Sequence, residues 1–212
     1  DNGAWEAILE NAYDIIVTGE INGEDTLTFS IPFRDSKRKY LENEKKIQIV
    51  DDVYKIRTVT DVKDSTGNTV TQIYAEAEFY DLTFSVRKEE KKFDAETADV
   101  AMAYALADTE WSVGTVNVTT KRTWTSTEKN ALSILRSVAN LHGGDLVFDC
   151  PNRLVHLLTV NGKDSGALFA YKKNMKSIER VVDTRSLVTR LYAVGANGMT
   201  FADINGGKPY LE

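Results

Sequence analysis

The chain has 212 residues, 42% of them hydrophobic and 27% charged, with 32 acidic against 26 basic side chains and a formal net charge of −6. Such a chain can bury a sizeable core, which excludes a disordered tail, and runs such as residues 104–107 fall far short of the ~20 apolar residues that span a bilayer. The acidic excess excludes a phosphate-backbone clamp made from the chain as a whole, because phosphate binding requires concentrated Lys and Arg.

Cys150 is the single cysteine, which rules out an intrachain disulfide framework and suits assembly in a reducing cytoplasm. The chain starts at Asp1 without a Met, shows no basic-then-apolar leader, and stops at Leu211-Glu212 just after Pro209-Tyr210. It reads as a piece of a longer protein with no secretory signal.

In chain order, Asp1-Asn2-Gly3 reads as a hairpin turn, and residues 5–9 suit either a short helix or a strand. Residues 13–18 and 26–31 are β-rich and flank Ile21-Asn22-Gly23, an Asn-Gly hairpin signal. Pro32 closes the second run by removing a ladder donor. Residues 34–46 are highly charged and read as an exposed connection with one helical turn near Tyr40. Residues 46–50 and 53–60 flank the Asp51-Asp52 turn, and a strand over 69–78 follows the turn at 64–68. Val53, Lys55, Arg57 and Val59 alternate with Tyr54, Ile56, Thr58 and Thr60, the pattern of a half-buried meander. Strands at roughly ten-residue spacing predict a closed barrel or sandwich for about the first 80 residues.

The composition changes at the charge run RKEEKK, residues 87–92, which reads as a solvated linker or helix end. Asp94 is the predicted N-cap of a helix over 95–107, rich in Ala, Met and Leu. Residues 111–119 are strand-like. Ser126 or Thr127 is the predicted cap of a second helix, whose apolar stripe is Leu132, Leu135, Val138 and Ala139. His142 falls in its last turn, and Gly143-Gly144 supplies its stop. Strands over 145–149 and 153–159 join through Pro151-Asn152 as a hairpin. Two further β-rich runs cover 177–183 and 187–194. In the second, Leu187, Thr189, Leu191 and Ala193 alternate with Val188, Arg190, Tyr192 and Val194, so both faces carry apolar groups. Ala196-Asn197-Gly198 then supplies a turn.

The fold class expected is α+β, mainly β. A β-barrel domain occupies 1–86, a helix and hairpin α+β domain 87–165, and the start of a further β domain, a partial barrel, 166–212.

Reactive groups are few. His142 and His156 are the only histidines, one at a helix end where the dipole favours it and one alternating on a strand with Leu154 and Leu158. No His-x-x-x-His or Cys-x-x-Cys spacing points to zinc. A nucleophile at Cys150 needs a positioned histidine, and His156 across the hairpin is the one candidate. Phosphate-loop, dinucleotide-glycine and Gly-x-Ser-x-Gly patterns do not occur. The loops at 61–68 and 203–207 hold Asp, Asn and Gly without calcium-ligand spacing, so they read as turns. Trp5, Trp111 and Trp124 are read as core or interface residues first and sugar platforms second. No catalytic, cofactor-binding or metal residue is assigned.

Several stretches carry a resemblance. AYKKNMKSIERVVDTRSLVTRLYAVGANG, residues 170–198, holds an aromatic-x-x-Asn-hydrophobic-x-x-Ile stretch leading into Asp-Thr and Leu-Val-Thr-Arg-Leu with a Gly-rich turn. Together with AYDIIVTGEINGEDTLTFSIP (12–32), KIQIVDDVYKIRTVTD (46–61) and SVGTVNVTTKRTWTSTEKNALSILRSVANLHGGDLVFD (112–149), it resembles phage and prophage tail proteins of the tail endopeptidase, or tail-associated lysin, family. That family begins with a hairpin, which favours a strand over residues 5–9. The resemblance implies a baseplate hub module of a tail tip, a virion structural protein assembled in the bacterial cytoplasm. It implies a homotrimer that forms a ring below the tail tube and meets the distal tail protein and the tape-measure protein. Specific nucleic-acid binding and membrane insertion are not expected, and any lysin or endopeptidase activity is expected in domains beyond Glu212. A peptidoglycan or peptide hydrolase within these residues, and a cell-wall carbohydrate-binding module using Trp111 or Trp124, stay open as alternatives.

Overall fold

Alternating apolar and polar residues build the first sheet. The computed structural model describes residues 5–50, 52–63, 67–127, 129–162, 164–175, 177–185 and 187–212. The turn read at Asp1-Asn2-Gly3, Asp51 of the next turn and residues 64–66 of the third lie outside them. Strands β1 (Tyr13–Gly19), β2 (Asp25–Pro32), β3 (Lys46–Ile49), β4 (Asp52–Lys63) and β5 (Thr69–Ala77) form an antiparallel sheet in the order β1-β2-β5-β4-β3. Leu27, Phe29 and Ile31 of β2, Tyr54 and Ile56 of β4, and Ile73, Ala75 and Ala77 of β5 are buried. Their pairing across the strands puts them on one face, as a period of two requires. On the opposite, polar face, Arg57 reaches the carboxylates of Glu44, Glu76 and Asp81.

The sheet curls as a half-barrel with β1 and β3 at its edges, not hydrogen-bonded to each other. Residues 5–9 form no strand, a correction to the expectation. Ladder bonds need a neighbouring strand, and among the described residues β1 pairs with β2 alone. The segment is held by side chains instead: Lys37 Nζ donates to the Ile8 carbonyl at 2.6 Å, and Lys45 meets Glu6 at 3.3 Å.

Within this sheet Tyr54 donates its hydroxyl to Asp25 at 3.0 Å. Burial raises the Asp25 carboxyl above its ordinary 3.8, against the lowering effect of that hydrogen bond. A raised folded value means that ionising Asp25 costs stability as pH rises through its titration range. Asp25→Asn keeps an acceptor for Tyr54 and removes the charge. The variant is expected to match the parent below about pH 3.8 and to melt higher at neutral pH, which thermal unfolding at the two pH values checks.

The next part holds β6 (Val86–Arg87), β7 (Lys91–Thr97), α1 (Ala98–Leu106), β8 (Ser112–Val116), β9 (Lys121–Ser126), β10 (Lys129–Asn130), α2 (Ala131–His142), β11 (Asp145–Asp149) and β12 (Leu154–Leu158). β6 pairs with β10, β7 with β9, and β11-β12-β8 form a sheet in which β8 runs parallel to β12. The charge run lies in strands at both ends, since Arg87 closes β6 and Lys91-Lys92 open β7. The first helix starts at Ala98 after Thr97, not after Asp94, because Phe93 pairs across the ladder with Trp124. Their rings stack at 4.7 Å, and such a pair favours strand. A bulge between Phe93 and Glu96 leaves Ala95 at φ +51.

The second helix is capped by Asn130, whose side chain accepts from Ser133 N at 2.8 Å. Ser126 is instead the buried end of β9, paired with Lys91, and so is not free to cap. The stripe Leu132, Leu135, Val138 and Ala139 is buried as expected. It joins Ala98, Ala101, Met102 and Ala105 of α1 and Val155 and Leu157 of β12 in one apolar core.

Residues 1–163 and 164–212 form two compact units. The described residues of the second hold no strand, only the isolated bridges Tyr171–Met175 and Leu191–Leu211 and two short 3-10 turns. The runs 177–183 and 187–194 are therefore not strands here. Leu187, Val188, Tyr192 and Val194 are all exposed. A strand apolar on both sides is stable only between covering layers, and a single bridge does not supply them.

Candidate functional site: a polar junction and an uncovered sheet edge

The β1–β2 turn pins the first sheet to the helical part. Asn22, at φ +60, lets its side-chain amide act as a piece of strand. Its Nδ2 donates to Gly144 O at 3.1 Å and its Oδ1 accepts from Leu146 N at 2.6 Å. Beside it, Arg136 Nη2 donates to Gly23 O at 2.8 Å. Asn22→Ala leaves two backbone groups without partners and is expected to cost about 1–3 kcal/mol, read from the urea midpoint.

A second contact runs through the 3-10 turn Glu78–Phe84. Phe79 stacks on Phe148 at 4.0 Å. Buried Glu78 meets Lys46 Nζ at 2.7 Å and Arg153 Nη2 at 3.4 Å. Half-buried Cys150 lies close by. Burial, reinforced by the Glu78 charge, pushes its thiol up to about 11. A nucleophilic cysteine needs the opposite shift. Cys150 in the folded chain is expected to react with iodoacetamide far more slowly at pH 8 than it does in urea. Equal rates would contradict this assignment.

The histidines are separate. Thr115 N donates to His156 Nδ1 at 2.8 Å, so the ring completes the irregular β8–β12 ladder instead of facing Cys150. A Cβ on Gly114 would sit 2.6 Å from that ring, so a larger residue there would have to displace it. His142 is buried, with Nδ1 within 3.0 Å of Thr120 O and, among the described residues, no partner for Nε2. Among the described residues no group of three or more His, Cys, Asp or Glu is placed to hold a metal. Asp61 is engaged by Arg38 and Thr71, and Asn205 by Tyr210 O. Trp111 is buried edge-on to Phe148, and Trp124 is stacked on Phe93. Trp5 is exposed.

The feature that sequence reasoning passed over is the exposure of β1, read there only as a hairpin strand. Every residue of this edge strand is exposed, including Tyr13 (41%), Ile15 (50%), Ile16 (58%) and Val17 (48%). Ile15-Ile16-Val17 was the available signal, because three consecutive apolar residues place apolar groups on both faces of a strand. Beside it lies a shallow depression of ≈ 380 Å³ lined by Ile16, Thr28, Thr58, Gln72 and Tyr74.

Pinned sheets, a buried helical core and an exposed apolar edge make up a β-rich module. Residues 1–77 match the family described as prophage endopeptidase tail N-terminal domain, 85–157 the prophage endopeptidase tail domain, and 163–212 the prophage endopeptidase tail. The chain belongs to the prophage endopeptidase tail family and is a component of a phage tail.

Its fold is similar to that of prophage tail protein gp18 from Listeria monocytogenes EGD-e. The TM-score is 0.69 at 16% identity, over 91% of this chain and 60% of that one. It is also similar to the tail protein from Neisseria meningitidis MC58, with TM-score 0.52, 13% identity and coverage of 79% and 53%. The 43 kDa tail protein of prophage MuSo2 from Shewanella oneidensis gives TM-score 0.53, 11% identity and coverage of 79% and 55%. The chain thus spans between 53% and 60% of the length of these proteins. No curated protein matches it.

Proposed function

We propose that the chain is the hub module of a tail-tip, or baseplate, protein. It assembles in the bacterial cytoplasm as a homotrimeric ring below the tail tube, against the distal tail protein and the tape-measure protein. The uncovered β1 edge carries this reading, because an edge strand with apolar groups on both faces invites pairing with another chain. In this reading three modules, 1–86, 87–165 and 166–212, act by shape and turn over no substrate. Lysin or endopeptidase activity of the full-length protein belongs to other domains. The net charge of −6 lets DNA pass without sticking, since like charges repel.

The test is a double variant, Ile15→Lys with Ile16→Lys, in the full-length protein. It is expected to fold, because both positions are exposed, and to lose ring assembly with the distal tail protein by native mass spectrometry. Unchanged assembly would show that β1 is not an interface, and cell-wall clearing by residues 1–212 in a zymogram would overturn the non-enzymatic reading.

A further inference from the structure

Of the five Asn-Gly pairs in the chain, Asn22-Gly23 and Asn161-Gly162 line or border the same depression of ≈ 270 Å³ near Arg136 and Leu146. Asn-Gly is the dipeptide in which the next backbone nitrogen most readily attacks the side-chain amide, because glycine presents no Cβ to hinder it. The fold treats the two pairs differently. At Asn22 both amide atoms are engaged, by Gly144 O and Leu146 N. The attacking nitrogen there, Gly23 N, is itself bonded to Glu20 O at 3.0 Å. At Asn161 the side chain is exposed and makes no hydrogen bond among the described residues. Among the described residues Gly162 N also makes no hydrogen bond, and the space where a Cβ would stand is open. The Asn161 backbone N–H is held by Asp145 Oδ2 at 2.8 Å.

We propose that Asn161 is a site of spontaneous modification by deamidation, and that the fold protects Asn22 from the same reaction. Gly162 N attacks Asn161 Cγ, a C–N bond forms, and ammonia leaves with the displaced nitrogen to give a cyclic imide. Water then opens the imide at either carbonyl, producing aspartate or isoaspartate, so one amide is exchanged for one carboxylate. The product adds a negative charge beside Asp145, and the isoaspartate form lengthens the main chain by one methylene where residues 1–163 lead into 164–212. This inference is independent of the hub assignment.

The test is to age the full chain at mildly alkaline pH and map peptides by mass spectrometry, separating the aspartate and isoaspartate forms. Asn161 is expected to convert at least about tenfold faster than Asn22, whose reaction first requires opening of its hydrogen bonds. In urea the two rates are expected to converge, and Asn161→Gln is expected to remove the product at 161 without changing the melting temperature. An Asn161 that stays intact, an Asn22 that converts as fast in the folded chain, or a rate gap that persists in urea overturns the proposal.

Discussion

Leu135→Ala is expected to cost the 1–163 unit about 2–5 kcal/mol, because truncating a buried leucine loses transfer energy and leaves a cavity. Leu135 has no exposed surface and sits among Ile134, Val138, Ala101 and Met102, all equally closed off from solvent. Close-packed neighbours fixed in two helices collapse poorly into the space left behind. The urea midpoint should fall at unchanged slope, which marks a change in stability and not in the unfolded ensemble. Leu141, exposed on the same helix, supplies the comparison. Leu141→Ala is expected to stay within about 1 kcal/mol of the parent.

Gly144→Ala is expected to cost about 2–4 kcal/mol, the sum of left-handed backbone strain and a backbone clash. Gly144 has φ +107. A Cβ there would lie 2.7 Å from Leu158 O and 2.9 Å from Val118 Cγ2, and a carbonyl in a neighbouring segment cannot move aside as a flexible side chain would. Its own carbonyl accepts from Asn22, so any shift also loosens the junction with the first sheet. Gly143, at φ +82 with open space around it, separates the two causes. Gly143→Ala carries the strain without the clash and is expected to lose less. Equal losses at the two positions would remove the clash from the explanation.

Much of the 1–163 unit was legible from residue pattern. Asn22-Gly23 placed the first hairpin, and the alternation from Val53 to Thr60 placed β4. The stripe Leu132, Leu135, Val138 and Ala139 placed α2, and Pro151-Asn152 placed the β11–β12 hairpin. The misreadings arise where tertiary contacts outweigh local preference. Asp94 is a good cap residue, yet the Phe93–Trp124 stack holds that segment in a ladder and delays the helix to Ala98. Ser126 is likewise a good cap, but pairing with Lys91 occupies it and leaves the task to Asn130. The alternation of 187–194 is a strand pattern that finds no ladder, because strand formation depends on partners that local sequence does not contain. At the candidate sites, the separation of Cys150 from His156 could not be read from their spacing. It follows from the Thr115–His156 bond, which depends on β8 lying parallel to β12.

The claim on which the functional account turns is that copies of the protein join through β-built edges. Light scattering on the full-length protein, alone and mixed with its distal tail protein, measures this most directly. A particle holding three protomers is predicted, alone or (with the added mass of the partner) on mixing, and it falls to single protomers with the Ile15→Lys, Ile16→Lys variant. A particle of one protomer mass under both conditions would contradict it.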